Sequence, residues 1–252
     1  MASAPSVLAS LVLFDLDDTL FDHSGCVESG LTAVAQEFPA LRRRPIPELR
    51  VDYLAHLNSV HARIMAGELD QNDARVERYR LLFASCGAHP SDSELRRAIP
   101  IYRAAYAASH RTVAGAVPLL RHLHEEVGAK VVVVTNNATE EQVTKLSGLG
   151  LNRYVDALVT SEAVGVLKPD PQIFAAAIAQ GGATRDAAVM VGDSWEADVM
   201  GARSAGIRPV WFNRYRVPPP SEGPVEVLYT LEPTDAATST ILGRPPGTAR
   251  LL

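Results

Sequence analysis

The first apolar run of the chain, Leu11-Val12-Leu13-Phe14, opens onto Asp15, Asp17 and Asp18, and the next comparable run begins only at Lys130. That interruption constrains the fold more than any other feature. Five short runs rich in Val, Ile and Leu have the continuous apolarity of strands buried on both faces: Leu11 to Phe14, Lys130 to Thr135, Val155 to Thr160, Ala187 to Val191 and Arg208 to Phe212. From the second run onward they alternate with helical patterns at Glu140 to Leu149, Pro171 to Gln180 and Ala197 to Ala205. Strand–helix alternation predicts an α/β fold with a doubly wound, Rossmann-like parallel sheet and right-handed crossovers. Ligands of such sheets gather at the carboxyl ends of the strands.

The interval of more than a hundred residues between the first two runs is helical throughout. Val27, Leu31, Val34 and Phe38 recur at helical spacing, as do Tyr53, Leu57, His61 and Met65. Val76, Tyr79 and Phe83 repeat the pattern, and Leu95, Ile99, Tyr102 and Tyr106 close it. An all-helical cap inserted after the first strand is the expected arrangement, hinged near Phe21 to Ser24 and Arg111 to Gly115. The expected division is a core of residues 1–23 and 112–220, a cap of 24–111 and a C-terminal extension of 221–252. Within the extension, Val225 to Tyr229 allows a minor strand, and Gly243 to Leu252 reads as a weakly ordered tail.

Four sites at predicted strand ends carry chemistry. In Phe14-Asp15-Leu16-Asp17-Asp18-Thr19-Leu20, three carboxylates within four positions repel one another at a buried strand end. A divalent cation offsets that repulsion, and magnesium prefers such oxygen ligands. A polar turn with Asp18 capping a helix explains one or two of the Asp residues, but not the alternating pair. Thr135-Asn136-Asn137 ends the valine run with a hydroxyl and backbone amides suited to phosphate, although Thr and Asn also begin helices as caps. Lys168 stands before Pro169, read as the start of a helix; alone it would pass for a surface-loop lysine. Asp193 follows Gly192 at a strand end, and Asp198 falls about one and a half turns further on, where a solvated helix face is the alternative. Their common order, each at a strand end, permits one shared site.

Composition narrows the classes. Apolar residues at 47% and charged residues at 21% are ordinary for a soluble globular chain. A net charge of −5 argues against a nucleic-acid polymer as partner, and the one basic cluster, Arg42-Arg43-Arg44 among prolines, reads as a solvated loop. Two cysteines, Cys26 and Cys86, do not make a disulfide framework and suit a reducing compartment. With neither a signal peptide nor a membrane-spanning run, a cytoplasmic protein without a membrane partner is expected.

The set Asp15-x-Asp17-x-Thr19, Thr135, Lys168-Pro169 and Gly192-Asp193-x-x-x-x-Asp198 resembles the haloacid-dehalogenase-like hydrolases, over about residues 10 to 217. A helical cap between the first two motifs is similar to one subgroup of that family. Ala66-Gly67-Glu68-Leu69, Ser161 through Pro169, Ala205-Gly206-Ile207 and Trp211-Phe212-Asn213-Arg214 resemble the branch containing pyrimidine 5′-nucleotidases and N-acylneuraminate-9-phosphatase.

The resemblance implies a magnesium-dependent phosphatase acting on a small phosphorylated metabolite through an aspartyl-phosphate. It implies Asp15 as nucleophile and Asp17 as the acid and base for the leaving oxygen and the water. Magnesium would be held by the carboxylates of Asp15 and Asp193 and the backbone carbonyl of Asp17. Thr135 and the Asn136 amide would hold the phosphoryl oxygens, with Lys168 compensating the crowded anions. Asp198 would orient the metal shell or Lys168, with Glu196 as its possible substitute, and Thr19 with Phe21-Asp22 would support cap closure. Halide leaves without a proton, so the Asp17 acid argues against dehalogenation. In the cap, Tyr53, His56, His61 and Arg63 are specificity candidates, with ordinary helix faces and a cap core as the competing reading. His122 and His124 read as a solvated helix flank in preference to a metal site. A phosphomutase or phosphotransferase would share the nucleophile. A phospho-receiver module would use a similar Asp, Thr and Lys set, but in about half this length and without a cap. A non-catalytic scaffold would not keep all four sites. The sequence leaves monomer and homodimer open.

Overall fold

The computed structural model describes residues 9–65, 67–220 and 224–243, without the side chains of 58, 61, 62, 65 and 71. The side chain of His61, residue Ala66, the turn at 221–223 and the tail beyond Gly243 therefore lie outside the described residues. The described chain forms two compact units, divided after Asp22 and again after His110.

The first unit is built on one sheet of β1 (Leu11–Phe14), β2 (Lys130–Thr135), β3 (Ala157–Thr160), β4 (Ala188–Gly192), β5 (Arg208–Phe212) and β6 (Glu226–Leu228). Its order is β3-β2-β1-β4-β5-β6 and every neighbouring pair is parallel, as the alternation predicts. Strand β1 is central: Phe14 stands opposite Val133 on one side and Val191 on the other. Both its faces are covered, so Leu11, Val12, Leu13 and Phe14 are all fully buried, and that explains the unbroken apolar run. The chain steps outward from β1 to β3 and then returns to start β4 on the other side of β1. The carboxyl ends of β1 and β4 therefore flank the switch point, where a doubly wound sheet opens a crevice. Asp15 leaves β1 there and Asp193 leaves β4.

The second unit is four helices, α1 (His23–Glu37), α2 (Ile46–Met65), α3 (Gln71–Ser85) and α4 (Asp92–Ala108). Helix α4 begins in a capping box, with the Ser91 backbone N–H on Glu94 at 2.9 Å, and the Asp70 carboxylate accepts from two amides at the start of α3. The apolar stripes read from the sequence meet in one core holding Val27, Leu31, Tyr53, Tyr79, Leu95 and Tyr102. Gly30 permits the close approach of α1 to α4: a Cβ there would lie 2.5 Å from the Tyr102 ring.

Some details differ from the sequence reading. Arg42 and Arg43 are exposed, as expected, but end a short helical turn, Pro39–Arg43, in place of a loop; the Arg42 side chain donates to the Ala35 carbonyl at 2.7 Å. Arg44 follows the turn and pairs with Glu48 and Asp52 of its own unit. Pro169 does not open a helix. The helix opens at Pro171, with Asp170 capping it from outside, because Pro at the first helical position needs no N–H partner. A further helix, Thr234–Leu242, follows β6 and buries Ala237, Ile241 and Leu242. Among the described residues no helix is long and apolar enough to cross a membrane.

Candidate active site

All the predicted strand-end residues belong to the first unit, and Lys168 gathers several of them. Its ammonium donates to Asp15 Oδ1 at 2.6 Å, Asp198 Oδ1 at 2.7 Å and the Val134 carbonyl at 2.8 Å, and its side chain is buried. The loop that delivers it is fixed by Asn136. The Asn136 amide nitrogen donates to the Lys168 carbonyl at 2.9 Å, and its oxygen accepts from the Lys168 N–H at 2.7 Å. The peptide between Lys168 and Pro169 is cis.

Asp198 accepts from Lys168 through one oxygen and from the Ser194 N–H through the other, at 3.0 Å. This closeness requires Gly192: a Cβ there would stand 2.2 Å from Asp198 Oδ2. The Asp15 N–H is held by the Val191 carbonyl at 2.9 Å, which ties the end of β1 to β4. Carboxylate oxygens of Asp15, Asp193 and Asp198 lie within 4.8 Å of one another. Burial pushes the Asp15 carboxyl up to about 7, against the pull of Lys168 and with the help of Asp198. Burial likewise raises Asp193 well above the carboxylate range, and the charges of Asp15 and Asp198 add to it. Burial alone would lower Lys168, but Asp15 and Asp198 outweigh it and the net shift is upward. Three clustered carboxylates share one ammonium, and such an oxygen-rich, under-compensated group fits a hard divalent cation.

Asp17 points into a different environment. Its carboxylate accepts from Lys145 at 2.8 and 3.1 Å and from the Gln142 amide nitrogen at 3.0 Å. The same Gln142 nitrogen donates to the Thr135 hydroxyl at 2.7 Å, and Thr135 is buried. Asp18 takes the left-handed conformation (φ 64°), which Asp tolerates, and its N–H returns to the Phe21 carbonyl at 2.7 Å. The Thr19 hydroxyl is buried with no hydrogen-bond partner among the described residues.

Residues 9–206 match the family model described as haloacid dehalogenase-like hydrolase. The chain belongs to this family. It is 32% identical over 213 residues to the ribulose-1,5-bisphosphate 5-phosphatase of Halopiger xanaduensis, covering 82% of this chain and 85% of that protein. Over 102 residues it is 40% identical to the pyrimidine 5′-nucleotidase YjjG of Escherichia coli, covering 40% of this chain and 44% of that one. The fold is shared with the L-2-haloacid dehalogenase of Xanthobacter autotrophicus, at a TM-score of 0.68 and 20% identity over 96% of this chain and all of the other.

Other sequence candidates fall elsewhere. Tyr53 is buried in the core of the helical unit, and Arg63 pairs with the nearby Glu68. His122 pairs with Glu126 at 2.9 Å, and the His124 ring nitrogen stands 3.8 Å from Asp156. The sequence reading omits Gln142 and Lys145, which look like ordinary polar positions of an exposed helix. One signal was available: with Leu146 they form an i, i+3, i+4 stripe, and that stripe is the buried face of α5 (Thr139–Gly148). It also omits Arg111 and Arg214 as partners of Asp22; Arg111 lies 2.6 Å from its carboxylate, and Arg214 also reaches Asp18 at 3.5 Å.

Proposed function

We propose that this family member is a magnesium-dependent phosphatase that cleaves a small phosphorylated metabolite, with Asp15 as nucleophile and Asp17 as acid and base. The observation that carries the reading is the separation of the two carboxylates. They leave one strand end two residues apart, yet Asp15 is held by Lys168 and Asp17 by Lys145 and Gln142. Two carboxylates in distinct environments suit two distinct roles.

In this reading Asp15 attacks phosphorus, the bond from phosphorus to the ester oxygen breaks, and Asp17 gives that oxygen its proton. Asp17, now a carboxylate, takes a proton from water as the water attacks the aspartyl-phosphate, and inorganic phosphate leaves. The Thr135 hydroxyl and the Asn136 backbone amide hold the phosphoryl oxygens, and Lys168 compensates their charge. Asp15, Asp193 and the Asp17 carbonyl would hold magnesium, which supplies charge neutralisation for nucleophile and phosphate. Asp198 positions Lys168. The sugar-phosphate and nucleotide phosphatases among its relatives support a substrate drawn from those two classes.

Phosphate release from a panel of sugar phosphates and nucleoside monophosphates tests this, with magnesium, with chelator, and with Asp15→Asn. Release that needs magnesium and disappears in the variant is expected. Release unaffected by either change would refute the assignment, and so would a complete absence of release.

A further inference from the structure

The geometry points to Gln142 and Lys145 as positioning residues that fix the Asp17 carboxylate and the Thr135 hydroxyl for the same turnover, an inference that rests on the acid–base reading of Asp17. Neither residue belongs to a strand-end motif. Both project from α5, one turn apart, and both are buried, although Lys and Gln are ordinarily solvent-facing. A buried ammonium is costly without partners. Here it contacts both oxygens of Asp17, the Glu141 carboxylate at 3.0 Å and the face of the Phe21 ring, 5.0 Å from its centroid. Among these, Asp17 alone is a candidate for chemistry.

Gln142 adds the link to phosphate. Its amide nitrogen lies between Asp17 Oδ2 and Thr135 Oγ1 and donates to both, while its own carbonyl oxygen is buried without a partner among the described residues. Leaving that oxygen unpaired costs stability, and a residue serving packing alone would not need to accept that cost. Because the Thr135 oxygen accepts from Gln142, its own O–H is left to donate in another direction, as a phosphoryl-binding hydroxyl requires. Gln142 thus couples the proton-transfer carboxylate to the phosphate-binding hydroxyl, and Lys145 removes the rotational freedom of Asp17. No bond is made or broken at either residue.

The test uses the full-length chain with magnesium and a series of substituted phenyl phosphates, from phenyl phosphate to para-nitrophenyl phosphate. The value of kcat/KM covers the steps through formation of the aspartyl-phosphate. A poor leaving phenol needs the Asp17 proton, and a good one departs nearly unaided. General acid catalysis contributes about 10²–10⁴-fold, so losing its alignment should cost a part of that. Lys145→Met and Gln142→Met are each expected to lower kcat/KM about 10–100-fold on phenyl phosphate and only a few-fold on para-nitrophenyl phosphate. Asp17→Asn should show the same steepened dependence on leaving group, and Lys145→Arg should recover the wild-type dependence. Circular dichroism and urea midpoints establish that each variant is folded, and Gln142→Met keeps the buried charge pair if Lys145→Met does not fold. Equal losses across the series, or no loss, in folded Lys145→Met or Gln142→Met while Asp17→Asn steepens it would overturn the positioning role. A wild-type dependence in Asp17→Asn would instead overturn the acid–base reading, and this inference with it.

Discussion

Replacing Lys168 with Met should expose how strongly the site is held by charge. The ammonium is buried and makes three hydrogen bonds, two of them to the carboxylates of Asp15 and Asp198. Removing one partner of a buried ion pair costs about 3–5 kcal/mol, because the remaining charge is left uncompensated. For a chain of this size that corresponds to a melting temperature lower by about 6–20 °C. The sign of the pH dependence follows from Asp15, whose carboxyl is pushed up to about 7 from its ordinary 3.8. Between those values the folded state binds more protons than the unfolded state, so stability falls as pH rises through that window. Below about 7 Asp15 is largely neutral and its ionic attraction to Lys168 is mostly absent. The variant, lacking the cation that holds Asp15 down, should keep losing stability to higher pH than the wild type. The gap between the two proteins is therefore expected to be smaller at about pH 5.5 than at about pH 8. Urea unfolding in chelator at both values measures it, and added magnesium should narrow the gap at the higher pH. A loss of equal size at both values, indifferent to magnesium, would refute a charge-held site and reduce Lys168 to packing.

Two further outcomes follow from the same cluster. Gly192→Ala places a Cβ 2.2 Å from Asp198 Oδ2, so Asp198 must leave Lys168. Phosphate release should fall about 10–100-fold with little change in overall fold, as an ångström-scale displacement of a positioning group does; wild-type rates in this variant would show that Asp198 is dispensable. Because Asp15 and Asp193 both have raised carboxyl pKa values, magnesium must displace protons to bind as pH drops below about 7. Its dissociation constant by titration calorimetry without substrate should rise up to about tenfold per pH unit for each proton displaced. The same constant at about pH 8 and pH 6 would remove these carboxylates from the metal site.

What the sequence made legible follows from how each residue is buried. Strand β1 stood out because both its faces are covered, and the helices of the second unit because one apolar stripe each had to meet in a single core. Strand β6 and the helix after it were faint because a three-residue edge strand behind a proline-rich turn offers too few positions for a period. The place of Lys168 was readable from motif order, but the start of the following helix was not. Two prolines lie in register there, and only Pro171 has a capping carboxylate directly before it. Gln142 and Lys145 escaped because polar residues on a helix are ordinarily read as its exposed face: their stripe with Leu146 is buried, and the ammonium is compensated there by Glu141 together with Asp17, which lies 128 positions away.

The three carboxylates that crowd the end of β1 are tolerable together because the fold gives each a different cation. Asp15 receives Lys168, Asp17 receives Lys145, and Asp18 shares Arg214 with Asp22. These cations come from three separate crossings of the chain, so the dense acidic motif is compatible only with a fold that brings all three to one strand end. The matching is not uniform. Asp22 is surrounded by Arg214 and Arg111, and these outweigh its burial and hold its carboxyl below the usual range. Asp15 and Asp193 share Lys168 with Asp198, and burial leaves both carboxyls raised. The under-compensated carboxylates of this group thus lie at the switch point between β1 and β4, where the proposed divalent cation and phosphoryl group would meet Asp15. Likeness of fold to a dehalogenase does not separate the two chemistries. A halide departs as a stable anion and has no use for a second carboxylate held apart by its own lysine and glutamine; an alkoxide leaving phosphorus does.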